Sequence, residues 1–133
     1  MLSSLSIRNL VTVESLQLEL DSGMSVLTGE TGAGKSILID ALGLVLGDKA
    51  DSSLIRHGSE KAEITAEFDL ARLPEICTWL ESNELDDAGE CLLRRIISRK
   101  GRSRTFINGT PVTLGTLTAL GSQLVDIHGQ HAH

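Results

Sequence analysis

Gly29-Glu30-Thr31-Gly32-Ala33-Gly34-Lys35-Ser36 is the stretch that decides how this 133-residue chain is read. It fits Gly-x-x-x-x-Gly-Lys-Ser, the pattern of a loop that cradles phosphates. The glycines at 29, 32 and 34 let the backbone curl until successive N–H groups point at one anion, with Glu30, Thr31 and Ala33 lending their amides. Lys35 is placed to reach the β- and γ-phosphates, and Ser36 to set its hydroxyl on Mg²⁺. A helix opening just behind the loop adds unpaired N–H groups and the positive end of a dipole. A charge-assisted hydrogen bond contributes about 1.5–3 kcal/mol. The dipole contributes about 0.3–1 kcal/mol, or ~2 when partly buried. Several such bonds outweigh the dipole, so loop geometry and Lys35 dominate the expected binding. The expected ligand is a nucleoside triphosphate, ATP with Mg²⁺. No residue with an evident adenine contact fixes the base.

The flanks supply the strand–loop–helix context the motif requires. Met24 to Thr28 reads as a short strand running into the loop. Lys35 to Leu46 reads as a helix apolar nearly all round, buried on most sides, with Gly47 placed to stop it. Further upstream, Leu5, Ile7, Val11 and Val13 bracket Arg8-Asn9, which predicts a strand and a bend. Leu16, Leu18 and Leu20 alternate with Gln17 and Glu19, the period of a half-buried strand. Asp21-Ser22-Gly23 is a turn.

Downstream, Asp48 to Ser59 is loop-like. Ala62, Ile64, Ala66 and Phe68 alternate with polar residues and predict another strand. Leu73 to Leu80 predicts a short helix with Pro74 in its first turn and Trp79 in the core. Asn83 to Gly89 is an acidic loop. Cys91 to Ser98 is a strand, Arg99 to Arg102 a turn around Gly101, and Ser103 to Ile107 the return. Asn108-Gly109 is a hairpin signal. Thr113 caps a helix expected to run to about Leu120, and Leu124 to Ile127 reads as a last strand.

Composition allows one compact α/β domain over residues 1–133. Hydrophobic residues make up 41%, and the core must be aliphatic, because there are two Phe, one Trp and no Tyr. The formal net charge of −6 argues against a uniformly basic nucleic-acid surface but leaves room for a local patch. Cys77 and Cys91 read as free thiols of a reducing compartment. Arg8 and Glu14 break any signal-peptide pattern, and the apolar run Ile37 to Leu46 holds Asp40 and is too short to span a bilayer. A cytoplasmic protein without a membrane partner is the expectation.

Hydrolysis needs more than a cradle. An acid on a strand must help hold Mg²⁺, and another group must orient water. Val125-Asp126 is the nearest approach to an apolar strand ending in acids, but Ile127 follows. Asp40 lies on the helix behind the loop. By its letters the chain resembles the first part of an ATPase.

The opening Leu5-Ser6-Ile7-Arg8-Asn9-Leu10, the loop with its following Ile39-Asp40-Ala41-Leu42, and the stretch Gly101-Arg102-Ser103-Arg104 to Phe106-Ile107-Asn108-Gly109 resemble the heads of SMC-type ATPases. Cys91 to Arg95 and Ile127 to His133 strengthen the resemblance toward a bacterial branch of that family. It implies the N-terminal lobe of an ABC/SMC-type P-loop NTPase head with an antiparallel β meander. In the family a coiled coil follows, and then a C-terminal lobe with the signature motif and catalytic Glu. Two such heads enclose two ATP molecules. The activity implied is that of an ATPase in recombinational repair of DNA double-strand breaks, associated with the nucleoid. Gln130 matches the Q-loop glutamine that contacts Mg²⁺ and senses the γ-phosphate. Arg56 sits where such heads often carry an arginine near nucleotide or DNA. Signature motif, coiled coil and catalytic Glu are missing here, so the chain is expected to bind ATP without turning it over efficiently.

Two other readings compete. One is an interaction module that binds nucleotide and works only with a partner lobe. The other is a small P-loop kinase, for which the basic stretch would have to be a mobile lid. That stretch holds Arg94, Arg95, Arg99, Lys100, Arg102 and Arg104, half of the chain's twelve basic residues. It reads either as a contact to DNA phosphates or as a solvated hairpin whose arginines discourage edge pairing. His128, His131 and His133 have no carboxylate or Cys nearby to complete a metal site.

Overall fold

The computed structural model describes residues 1–20 and 32–129, with side chains for 1–20 and 36–125. Among them, six strands form one antiparallel sheet in the order β2-β1-β3-β4-β5-β6. The strands are β1 (Leu2–Leu10), β2 (Val13–Glu19), β3 (Lys61–Asp69), β4 (Glu90–Ser98), β5 (Arg104–Ile107) and β6 (Thr110–Val112). Three helices accompany them: α1 (Gly32–Val45), α2 (Pro74–Ser82) and α3 (Leu114–Gly129). A 3-10 turn at Ser52–Leu54, capped by the Asp51 carboxylate on Ser53 N at 2.8 Å, leads back to the sheet.

The alternation read from the sequence sets which face each strand buries. Leu5 and Ile7, Ala62 to Phe68, Cys91 and Leu93, and Ile107 point into one core. On that face α1 lies over β3 and β4, while α3 lies over β5. Ala41, Leu44 and Val45 seal α1 to the sheet, and Leu117, Leu120 and Leu124 do the same for α3. Full burial of a Leu or Ile contributes roughly 1.5–3 kcal/mol, so this face holds the domain together. Cys91 lies in it, and burial pushes its thiol up to about 12, which makes it a packing residue and not a reactive one.

The Asn108-Gly109 turn is built as its letters require. Both residues have positive φ, 50° and 82°, the geometry that matches the twist of the flanking strands. The Asn108 side chain also accepts from Leu92 N at 2.8 Å and donates to Leu85 O and Glu90 O at 2.8 and 2.9 Å. That ties the acidic loop to the hairpin.

Three expectations change. The bend expected at Arg8-Asn9 falls instead at Val11-Thr12, because β1 continues through Leu10. Asn9 takes a left-handed conformation within the strand (φ 54°), which Asn tolerates, and so the side-chain pattern breaks there without ending the strand. The last strand expected at Leu124 to Ile127 is helix: α3 runs on through Gly129. Leu117, Leu120 and Leu124 lie three and four apart and are all buried, a helical stripe that carries past Gly121. The helix behind the loop begins at Gly32, three residues before the expected Lys35. The expected strand Met24 to Thr28 lies outside the described residues.

Candidate nucleotide-binding site

Gly29, Glu30, Thr31 and Gln130 lie outside the described residues. Gly32, Ala33, Gly34, Lys35 and Ser36 form the opening of α1, and Ser36 is exposed. The first four N–H groups of a helix have no acceptor within it. By that geometry the amides of Gly32, Ala33 and Gly34 are ones the helix itself does not use, so the second half of the motif has donors to offer an anion at a dipole's positive end. Asp40 is exposed on the same helix.

The far end of α1 is held unusually firmly. Gly47 N donates to Leu44 O at 3.2 Å and Asp48 N to Gly43 O at 3.0 Å. With Gly47 at φ 118°, this is a Schellman cap. Arg95 reaches the same turn from β4. Its Nη1 donates to Leu44 O at 2.6 Å and also to Asp48 O. Arg95 is only 4% exposed, and its Nε has no partner. Burial pulls the guanidinium pKa below its ordinary value, with the Asp48 carboxylate acting against that shift.

α3 crosses close to this turn. A Cβ built on Gly121 would stand 2.0 Å from Leu46 O, and one on Gly47 would stand 2.6 Å from Thr118 Oγ1. The glycines allow two helices to meet backbone to backbone. A cleft of about 340 Å³ flanks the crossing, lined by Leu46, Asp48, Ser122 and Val125 among others.

The basic stretch divides. Arg95 leaves the surface set altogether: with Cys91, Leu93 and Ile97 it shares the inward face of β4, so it cannot meet a DNA phosphate. The alternation of Cys91, Leu93 and Ile97 around it was the signal that could have revealed this. Arg94 faces outward, paired with Glu63 at 2.7 Å and lying over the Phe106 ring at 5.4 Å. Arg99 donates to Ser59 O at 3.0 Å and lies 3.5 Å from Ile55 O, fastening the hairpin to the Arg56–Ser59 loop. Lys100, Arg102 and Arg104 are exposed.

Pairing brings further cations to that end of the sheet. Lys61 is opposite Ser98, Arg104 is opposite Ile96, and Arg8 is opposite Glu63. Arg56 joins them through its N–H on Asn9 O at 2.8 Å, with Glu14 4.0 Å from its guanidinium. Seven of the chain's twelve Lys and Arg residues therefore gather there: Arg8, Arg56, Lys61, Arg99, Lys100, Arg102 and Arg104. Sequence reading found the hairpin's share and missed Arg8 and Lys61, which only strand pairing brings in.

Asp126 and His128 fall on α3, not on a strand, while His131 and His133 lie outside the described residues. Among the described residues, no group of His, Cys, Asp or Glu could hold a metal ion. No described helix is long and apolar enough to cross a membrane.

Comparison with known proteins agrees with this architecture. Residues 4–116 match the AAA domain family. The DNA repair protein RecN of Vibrio cholerae is 56% identical over the whole chain, and that of Bacillus subtilis is 42% identical over 98% of it. The chain spans only 24% and 23% of those proteins, about a quarter of their length. In fold, it superposes on an SMC ATPase studied for ATP-driven dimerization and DNA-stimulated activation with a TM-score of 0.69. That match covers 91% of this chain and 77% of the other, at 21% identity. The recombination mediator RecF, solved with ATP, gives a TM-score of 0.60 at 16% identity, over 88% of this chain and 30% of RecF. The chain therefore belongs to the AAA domain family, with RecN proteins as relatives in sequence and P-loop ATPase heads of the SMC and RecF kind as relatives in fold.

Proposed function

We propose that this chain is the N-terminal lobe of a RecN-like ATPase head, which binds ATP·Mg²⁺ and serves recombinational repair of DNA double-strand breaks. The observation that carries the reading is the Gly29–Ser36 motif continuing into α1, a helix that opens within the motif and whose far end is fixed to the sheet. Gly29 to Ser36 would hold the phosphates. Ser36 and Gln130 would contact Mg²⁺, and the metal would neutralise charge on the β- and γ-phosphate oxygens.

Turnover belongs to a larger assembly in this reading. No strand among the described residues carries the acid pair that hydrolysis requires, and Asp126 stands on a helix. Among the described residues, three large apolar side chains on the helices lack cover: Ile39 on α1 is 68% exposed, and Val125 and Leu114 on α3 are 51% and 40% exposed. A C-terminal lobe would bury them, and a second head would complete the nucleotide enclosure. The experiment is calorimetric titration of the 133-residue chain with ATP, with and without Mg²⁺, beside a steady-state hydrolysis assay. Saturable Mg²⁺-dependent binding without turnover is expected. Rapid hydrolysis by the chain alone overturns the half-head reading.

The basic end of the sheet would meet DNA phosphates. Replacing Lys100, Arg102 and Arg104 together with Glu should weaken duplex DNA binding, measured by fluorescence anisotropy, and leave ATP binding unchanged. The slope of log K against log salt should fall by about 1 for each lost cation that had touched a phosphate. An unchanged slope removes this surface from the proposal. The same charge reversal tests the solvated-hairpin alternative, which predicts no change in DNA affinity.

A further inference from the structure

We propose that Arg95 is a positioning residue for the nucleotide: it anchors the far end of α1 so that the phosphate-binding end is held in register with the sheet and with α3. This rests on reading Gly29–Ser36 as the nucleotide loop.

The argument begins with where the charge sits. Arg95 is a cation among Cys91, Leu93 and Ile97 in the core, with no carboxylate bonded to it and one nitrogen unpartnered. An apolar side chain of similar volume would fill the same space without the desolvation cost, and such replacements are often neutral or stabilising. Stability alone is therefore a poor account of an arginine here. What Arg supplies and a hydrophobe cannot is direction. Its guanidinium draws together Leu44 O and Asp48 O, the carbonyls at the negative end of α1, and ties both to β4.

That tie acts at a distance because α1 is a stiff rod. Its 14 residues span about 20 Å at ~1.5 Å per residue. A tilt of about 3° at the anchored end would move the other end by about 1 Å, and in catalysis a misplacement of that size costs up to ~100-fold in rate. The anchored end offers little slack in any direction. Gly43 lies where an added Cβ would be 2.4 Å from Asp48 Oδ2, and Gly121 of α3 lies against Leu46 O. α3 ends at Gly129, one residue before Gln130. The junction at Leu44–Asp48, Arg95 and Gly121 thus joins the helix that opens at the phosphate loop to the helix that leads to the expected γ-phosphate sensor. Arg95 is the member of that junction that ties the end of α1 to β4 by hydrogen bonds.

The test compares Arg95→Met and Arg95→Lys with Leu80→Ala, a core change in α2 chosen to lower stability without touching the junction. Binding of N-methylanthraniloyl-ATP with Mg²⁺ is measured at a temperature where circular dichroism shows every variant folded. Arg95→Met should bind about tenfold more weakly or worse, Arg95→Lys should recover part of the loss, and Leu80→Ala should bind as the parent chain does. Equal loss in Leu80→Ala, or parental affinity in Arg95→Met, overturns the proposal. Hydrogen exchange without nucleotide separates this idea from the reading of the loop. In Arg95→Met the amides at the start of α1 should exchange faster, as well as those beside the lost anchor. If only the last turn loosens, the positioning role is wrong even where ATP binds normally. If the parent chain fails to bind ATP at all, the loop assignment is wrong, and the exchange pattern still decides the anchor.

Discussion

Lys35→Ala is expected to abolish measurable ATP·Mg²⁺ binding while leaving the melting temperature within a few degrees of the parent chain. The two halves of this expectation come from different parts of the molecule. Binding rests on a small number of charge-assisted bonds at about 1.5–3 kcal/mol each, and Lys35 is the cation of the motif. Removing it also leaves the β- and γ-phosphates facing a chain of net charge −6. A loss of about 4 kcal/mol would weaken affinity roughly 1,000-fold. Stability rests on the sheet's inner face, where Ile7, Ile64, Leu93 and Ile107 are fully buried and none is near the opening of α1 in sequence. Calorimetric titration reads the first half and thermal melting the second. Tight Mg²⁺-dependent binding in the variant would show that the phosphate site lies elsewhere.

Gly121→Ala should be the most damaging single methyl in the described part of the chain. The added Cβ would sit 2.0 Å from Leu46 O, 2.9 Å from Leu46 C and 3.1 Å from Leu46 Cα. All three are backbone atoms, so no rotamer change relieves the clash and the two helices must part. Overpacking of this kind costs typically ~1–3 kcal/mol and occasionally more. For a chain of this length about 3 kcal/mol corresponds to roughly 10 °C in melting temperature. Gly115→Ala on the same helix is the control. Its nearest neighbour would be Thr113 Oγ1 at 3.8 Å, an ordinary contact. There the gain in helix propensity should hold stability level or raise it by up to ~1 kcal/mol. Equal melting temperatures for the two variants would mean that α1 and α3 do not meet at Gly121.

The β meander was legible because period-two alternation is a local signal. Ala62 to Phe68 and Cys91 to Ser98 each declare a buried face without reference to anything else. The turn chemistry at Gly101 and Asn108-Gly109 fixed where the chain reverses, since those positions take positive φ. Leu124 to Ile127 was misread because a four-residue apolar run fits either period. Only the spacing back to Leu117 and Leu120 distinguishes a helix. Arg95 was misread for a different reason. Grouped with its charged neighbours it looked like part of a patch, whereas its position on the pleat places it inside. The partners that explain its burial, Leu44 O and Asp48 O, lie some fifty residues away and leave no local trace. The phosphate motif itself was recognised from its letters, and its first three residues, with Gln130, lie outside the described chain.

The pairing of β1 with β3 has an effect on how the chain can assemble. Arg8 is opposite Glu63 and Leu5 is opposite Ala66, so these two strands close a circuit that contains β2, the phosphate motif and all of α1. β3 to β5 need only neighbouring hairpin contacts, apart from the α2 insertion, and can zip locally. Closing the large circuit carries an entropy penalty that rises only with the logarithm of its length. The segment proposed to hold the phosphates thus lies, in sequence, between two strands that pair with each other. Lengthening the stretch before α1 would therefore add little to the entropy cost of closing the sheet, whereas α1 itself is held by Ala41, Leu44 and Val45 in the core.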